Sequence, residues 1–141
     1  MIVSRFNPTV TRGLLEGALL GLKETRAEEK NIEVIEVPGA FEIPQTAARV
    51  VKSRKVDAVI ALGAVIRGET SHFEYISAET SRGAMQVALQ SGVPLLFGVL
   101  TVNTMEQALQ RATGANNKGR EAALGAVEMA LLFRRLKKRK K

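Results

Sequence analysis

Two kinds of apolar run alternate along this chain. Short, nearly continuous apolar stretches rich in β-branched residues lie at residues 2–4, 32–37, 56–62 and 94–100. Between them, apolar residues recur three and four positions apart, the spacing of one face of a helix. Val10, Leu14, Leu15, Ala18, Leu19 and Leu22 mark the first helix. It follows the Asn7-Pro8 turn, with Thr9 or Thr11 as its expected cap. A second helix is predicted from about Ile43 or Pro44 to Lys52, since proline is tolerated in a first turn. A long helix is predicted over 73–90, with Gly92 suited to a left-handed cap, a short one over 104–111, and a last one from Lys118 to about Lys137. Residues 24–31, Pro38-Gly39, Ser53-Arg54-Lys55 and residues 112–117 read as connections. Apolar strands alternating with helices predict an α/β fold, a parallel sheet covered on both faces. No internal repeat or dividing linker interrupts it.

In such a sheet ligands bind beyond the carboxyl ends of the strands. Here those ends carry unusual residues: Phe6-Asn7, then Gly39-Ala40-Phe41-Glu42, then the turn running from Gly63 through Arg67, Gly68, Glu69, Thr70 and Ser71 to His72, and finally the segment from Phe97 to Asn103. Gly68 permits close backbone approach, and Glu69, Thr70 and Ser71 place amide N–H groups at the start of the long helix, where its dipole favours an anion. Arg67 or a distant arginine would complete a phosphate clamp. The plainer reading, in which Thr70 or Ser71 only caps the helix, stays open at this level. His72, the only histidine, adjoins this turn and suits a proton shuttle. Phe6 and Phe97 either stack on a flat heterocycle or pack into the core, and Glu42 either binds hydroxyls or simply favours a helix N-terminus. Arg111, Lys118 and Glu121 resemble surface charges, although a lysine opening a helix opposes the dipole.

Composition narrows the chemistry. With no cysteine and one histidine, disulfides, thiolate sites and structural zinc are ruled out or disfavoured, and a cytoplasmic location is expected. No apolar run is long enough to span a bilayer, and the first residues lack a signal-peptide pattern. The net charge of +7 is concentrated in residues 134–141, where seven of the 21 Lys and Arg lie; the remaining 14 balance the 14 Asp and Glu. The basic character is therefore a tail, read as a solvated helix end rather than a nucleic-acid face. The single aspartate, Asp57, precedes a strand, which excludes a receiver domain, and no Walker A or Gly-x-Gly-x-x-Gly loop is present.

Taken together, Ser4-Arg5-Phe6-Asn7, Val37-Pro38-Gly39-Ala40-Phe41-Glu42-Ile43-Pro44, the Gly63–Phe73 turn, Phe97-Gly98-Val99-Leu100-Thr101 and Asn117-Lys118-Gly119 followed by Glu121-Ala122-Ala123 resemble the 6,7-dimethyl-8-ribityllumazine synthase family. The resemblance covers nearly the whole chain. It implies a flavodoxin-like three-layer α/β/α sandwich with a four-stranded parallel sheet, a catalytic domain over 1–133 and a basic tail over 134–141. It also implies condensation of 5-amino-6-ribitylaminouracil with 3,4-dihydroxy-2-butanone 4-phosphate, without metal or other cofactor. By the same resemblance Phe6 stacks on the pyrimidine, Ala40 and Glu42 hold the ribityl chain, and Asn7, Phe41, Ala64 and Val65 join the substrate pocket. Gly68, Glu69, Thr70 and Arg111 hold the phosphate, and His72 shuttles protons. Phe97, Arg111 and Lys118 come from a neighbouring subunit of a homo-oligomer, a pentamer or a sixty-subunit icosahedral shell. Family members carry a short segment ahead of the first strand, whereas this chain begins almost inside it; the pentamer is expected to survive. A non-catalytic flavin- or lumazine-binding module and a structural shell on the same fold are the alternatives, and the tail would at most bind polyanions nonspecifically.

Overall fold

Strands β1 (Ile2–Ser4), β2 (Ile35–Val37), β3 (Val59–Ile66) and β4 (Leu95–Val102) run parallel, in the order β2-β1-β3-β4. Five helices connect and flank them: α1 (Pro8–Glu24), α2 (Ile43–Ser53), α3 (His72–Ser91), α4 (Met105–Ala112) and α5 (Lys118–Lys138). The computed structural model describes residues 1–138. Successive strand residues point to opposite faces, so one sheet builds two cores. Val3, Ile60, Leu62 and Leu100 pack with Val10 and Leu14 of α1 and Ala123 of α5. Ile2, Ala61, Val65 and Val99 pack with Ile43 and Ala47 of α2 and with Phe73 and Ile76 of α3. The result is the expected three-layer flavodoxin-like α/β/α fold. Leu62 and Ile43 are completely buried, each stabilising the fold by ~1.5–3 kcal/mol. Among the described residues no helix is long and apolar enough to cross a membrane.

Strand boundaries depart from the expected ones for a reason of pairing. β2 touches only β1, whose three residues pair with Ile35, Glu36 and Val37. Residues 32–34 therefore have no ladder partner, and Ile32 instead closes the 3₁₀ turn Glu29–Asn31. β3 begins at Val59 rather than Val56, opposite Leu95, and pairs with β4 as far as Ile66 opposite Val102. Gly63, Ala64, Val65 and Ile66 are thus strand, and the central turn shrinks to residues 67–71. Neither Thr9 nor Thr11 caps α1: its cap is Asn7, in the left-handed region at φ 58°, ψ 57°. Gly92 holds the left-handed cap of α3 as expected, at φ 66°. Of the tail, residues 134–138 continue α5 as helix, whereas Arg139, Lys140 and Lys141 lie outside the described residues.

Helices α1 and α5 cross almost backbone to backbone. A Cβ on Gly119 would lie 1.9 Å from the Leu14 carbonyl oxygen, and one on Gly17 would lie 2.1 Å from Asn117 Oδ1. Asn117 fills this crossing. Its Nδ2 donates to the carbonyls of Gly13 (2.8 Å) and Ala112 (2.6 Å), and its Oδ1 accepts from the N–H groups of Gly119 (2.9 Å) and Arg120 (3.1 Å). One side chain thereby caps α5 and ties it to α1 and to the end of α4. At the other end of the same contact Arg120 pairs with Glu24 through two hydrogen bonds.

Candidate functional site

The carboxyl ends of β1, β2 and β3 converge on one groove of ≈ 730 Å³. Its walls are built from short local motifs. β1 ends in Phe6 and Asn7, and the left-handed turn at Asn7 aims the chain into α1. Asn7 Nδ2 donates to the Ala64 carbonyl at 3.0 Å, so the end of β1 is pinned to the end of β3. Ser4 Oγ accepts from the Phe6 N–H at 3.2 Å. Phe6 itself remains 68% exposed, so it is not a core residue. β2 ends in a 3₁₀ turn, Ala40–Glu42, which carries Phe41 and Glu42 to the same opening. Ala64 and Val65 form the floor from β3, and Gly68, Thr70 and His72 form the far wall.

The turn between β3 and α3 is held from outside the groove. Arg67 Nε donates to Asn103 Oδ1 at 3.0 Å, and its guanidinium pairs with Glu74 and lies 4.3 Å from the centroid of the Phe73 ring. Its backbone N–H donates to the Val102 carbonyl at 2.9 Å. One arginine thus joins the ends of β3 and β4 to the first turn of α3. Two of its donor groups, Nε and Nη1, are thereby engaged in scaffold contacts rather than left free for the phosphate. The hydrogen bond from Arg67 holds the Glu74 carboxyl below the usual carboxylate range, with help from a backbone N–H.

The capping question is answered by the hydrogen bonds. Ser71, at the N-cap position of α3, makes no side-chain cap bond, and Thr70 Oγ1 accepts only a long bond of 3.4 Å from the His72 N–H. Nothing lies within 4 Å of where a Cβ of Gly68 would be, so a ligand can approach that backbone. A helix of 20 residues therefore presents loosely capped N–H groups, its positive dipole end and an exposed imidazole to one groove. Glu69 is exposed on the same turn but does not line the groove.

The three residues expected to serve a neighbouring subunit's groove lie apart from this one. Phe97, Arg111 and Lys118 line a second groove of ≈ 680 Å³ between β4 and α5. Phe97 is not at a strand end: it pairs with Ala61 in the first half of β4 and faces outward, 42% exposed, on the uncovered edge of the sheet. Core packing is therefore not its role. Arg111 Nη1 donates to the Gln107 carbonyl at 2.9 Å, and Lys118 pairs with Glu121, one turn along the same helix.

Sequence reasoning passed over Tyr75 and Ile76, which line the first groove one turn after His72. Their spacing of three and four from the histidine was the available signal. It also passed over Asn117 as a structural staple and Asn103 as the partner of Arg67, neither of which has a local signature. Among the described residues no group of three or more His, Cys, Asp or Glu side chains comes together as a metal cage. The first groove instead offers the rings of Phe6, Phe41, Phe73 and Tyr75, the Glu42 carboxylate, the turn of Gly68 and Thr70 at the N-terminus of α3, and the His72 imidazole. Residues 1–134 match the family model described as 6,7-dimethyl-8-ribityllumazine synthase.

Proposed function

Because the chain belongs to the 6,7-dimethyl-8-ribityllumazine synthase family, transferases of riboflavin biosynthesis, we propose that it condenses 5-amino-6-ribitylaminouracil with 3,4-dihydroxy-2-butanone 4-phosphate. The observation that carries this reading is the joint placement of Phe6, Glu42, Thr70 and His72 around one groove. The amine of the uracil attacks the ketone and water leaves to give an imine. Loss of the C3 proton and expulsion of phosphate from C4 leave an enol, which tautomerises so that the C3 hydroxyl becomes a carbonyl; attack of the ribitylamino nitrogen on that carbonyl, with loss of water, closes the ring. Phe6 stacks on the pyrimidine, and the Glu42 carboxylate with the Ala40 backbone holds the ribityl hydroxyls. The turn of Gly68, Glu69 and Thr70 receives the phosphate on the N-terminus of α3. His72, beside it, moves protons between the amine, the departing groups and the ring.

Arg111, Lys118 and Phe97 act in this proposal on a neighbour's groove. Two features support a homo-oligomer. Among the described residues the outer edge of β4 is unpaired, and it carries the exposed Phe97. Helix α3 also exposes Tyr75, Met85 and Leu89, at 68%, 60% and 76%, a cost in water that burial against a second copy would remove. Light scattering would distinguish a pentamer from a sixty-subunit shell.

The test is formation of the lumazine, followed by absorbance, from the two substrates with the purified oligomer. We expect a rate well above the spontaneous background. His72→Ala should lower kcat on the order of 10²-fold, the usual worth of a general acid–base group. Arg111→Ala should raise KM for the phosphate substrate about tenfold or more, the loss of one charge-assisted hydrogen bond. An assembled wild-type oligomer that gives no acceleration would reject the reaction in favour of a binding module.

A further inference from the structure

Phe6 enters the first groove without core packing to hold its ring. It is largely exposed and joins neither of the two hydrophobic cores among the described residues. The direction of its Cα–Cβ bond is therefore set by the backbone of residues 4–7, which is held at three points. On the strand side, the buried Ser4 accepts the Phe6 N–H through Oγ at 3.2 Å. On the helix side, the chain turns through Asn7 in the left-handed region, and the Asn7 carbonyl accepts from the N–H groups of Val10 (3.0 Å) and Thr11 (3.1 Å). The third point is the Asn7 side chain. Pairing of β1 with β3 ends at Val3 opposite Leu62, so the ladder stops short of Ala64, whose backbone is buried and still needs a partner for its carbonyl. Asn7 Nδ2 supplies it at 3.0 Å. Ala64 is floor of the same groove, so one hydrogen bond ties the residue beside the ring to the floor.

We propose that Asn7 is a positioning residue for this ring: its side chain acts through Phe6 rather than on the substrate, by fixing the backbone from which Phe6 reaches the pyrimidine. The inference rests on the reading of Phe6 as the ring that stacks on the uracil substrate. Two requirements select asparagine here. A backbone at φ 58° suits Gly, Asn and Asp far better than other residues. Of these three, only asparagine has a side chain that donates to a carbonyl at neutral pH. Glycine would keep the turn and lose the tie, and aspartate would set one acceptor against another. The consequence is selective. A stacking ring contributes only when it is held where the heterocycle will lie, so a loosened Phe6 weakens the uracil. Gly68 and Thr70 stand on the far wall and share no hydrogen bond with Asn7, so the butanone phosphate should be little affected.

The test is a double-mutant cycle between Asn7→Gly and Phe6→Ala, read as KM for each substrate and kcat in lumazine formation by the purified oligomer. Asn7→Gly alone should raise KM for the ribitylaminouracil about fivefold, the worth of one hydrogen bond. It should leave kcat and KM for the butanone phosphate within about twofold of the parent. Phe6→Ala should raise KM for the uracil roughly tenfold, as loss of an aromatic partner to a base does. In the Phe6→Ala background, Asn7→Gly should add nothing, because no ring remains to be positioned. Asn7→Asp, which keeps the shape and the left-handed backbone but not the donors, should repeat the Gly result in both backgrounds. Effects that multiply in the double variant would overturn the proposal, since a direct ligand or a general scaffold residue behaves in that way. Equal rises for both substrates, or no rise for the uracil, would also overturn it. A parent that forms no lumazine overturns the reaction and this inference with it, whereas a parent that turns over and gives any of those other outcomes overturns this inference alone.

Discussion

Asn117→Ala removes the side chain that joins three helices, and its cost can be worked from the geometry. The residue is 8% exposed, and water cannot readily replace its four hydrogen bonds. Loss of the acceptor that caps α5 costs ~1 kcal/mol. Loss of the two donors to the Gly13 and Ala112 carbonyls costs ~1 kcal/mol each, the usual net worth of a hydrogen bond. The sum is about 3 kcal/mol. For a chain of 141 residues that lowers the midpoint of thermal unfolding by about 10 °C. Circular dichroism of parent and variant at one protein concentration measures it. A loss under about 1 kcal/mol would refute the reasoning and show that α1 and α5 hold together by apolar packing alone. Asn117→Asp separates the two functions of the side chain. It keeps the acceptor, loses both donors and sets a carboxylate against two carbonyls. Its deficit should be large at neutral pH and shrink in acid, as the carboxyl gains a proton to donate. Asn117 also joins the end of α4, which carries Arg111, to the start of α5, which carries Lys118. Well below its unfolding midpoint, the Ala variant should therefore show a raised KM for the butanone phosphate.

Arg67→Ala should raise KM for the phosphate substrate about tenfold, the worth of one cation–π contact and one hydrogen bond, with a smaller change for the uracil and partial rescue by Arg67→Lys. Equal changes for both substrates, or none, would show that Arg67 does not hold the anion turn. Hydrogen bonding from Arg120 lowers the folded-state pKa of Glu24 from 4.5. The pair's contribution to stability is therefore complete above that value and is lost as pH falls through the lowered one. The stability gap between the parent and Glu24→Gln should be constant at neutral pH and close on acidification; a gap that widens in acid would contradict the assignment.

Local periodicity was enough to read the alternation of strands and helices, the left-handed cap at Gly92 and the turn that leads into His72. Each depends on residues within a few positions of one another, whose geometry is set by the repeat of the element itself. The convergence of Phe6, Glu42 and His72 followed from a rule about parallel sheets, without any knowledge of distances. Tertiary structure decided the rest. β2 could not be longer than its only partner, β1, and β3 ran on through Ile66 because β4 continued beside it to Val102. Arg67 was tied to the scaffold by Asn103, 36 residues away. Asn117 acquired its role from Gly13, 104 residues away. Phe97, Arg111 and Lys118, far apart in the chain, were brought together on a second groove along β4, apart from the first. A strand ends where its partner ends, and a polar side chain serves whichever unsatisfied group the fold brings within about 3 Å of it. Neither condition is contained in the order of neighbouring residues.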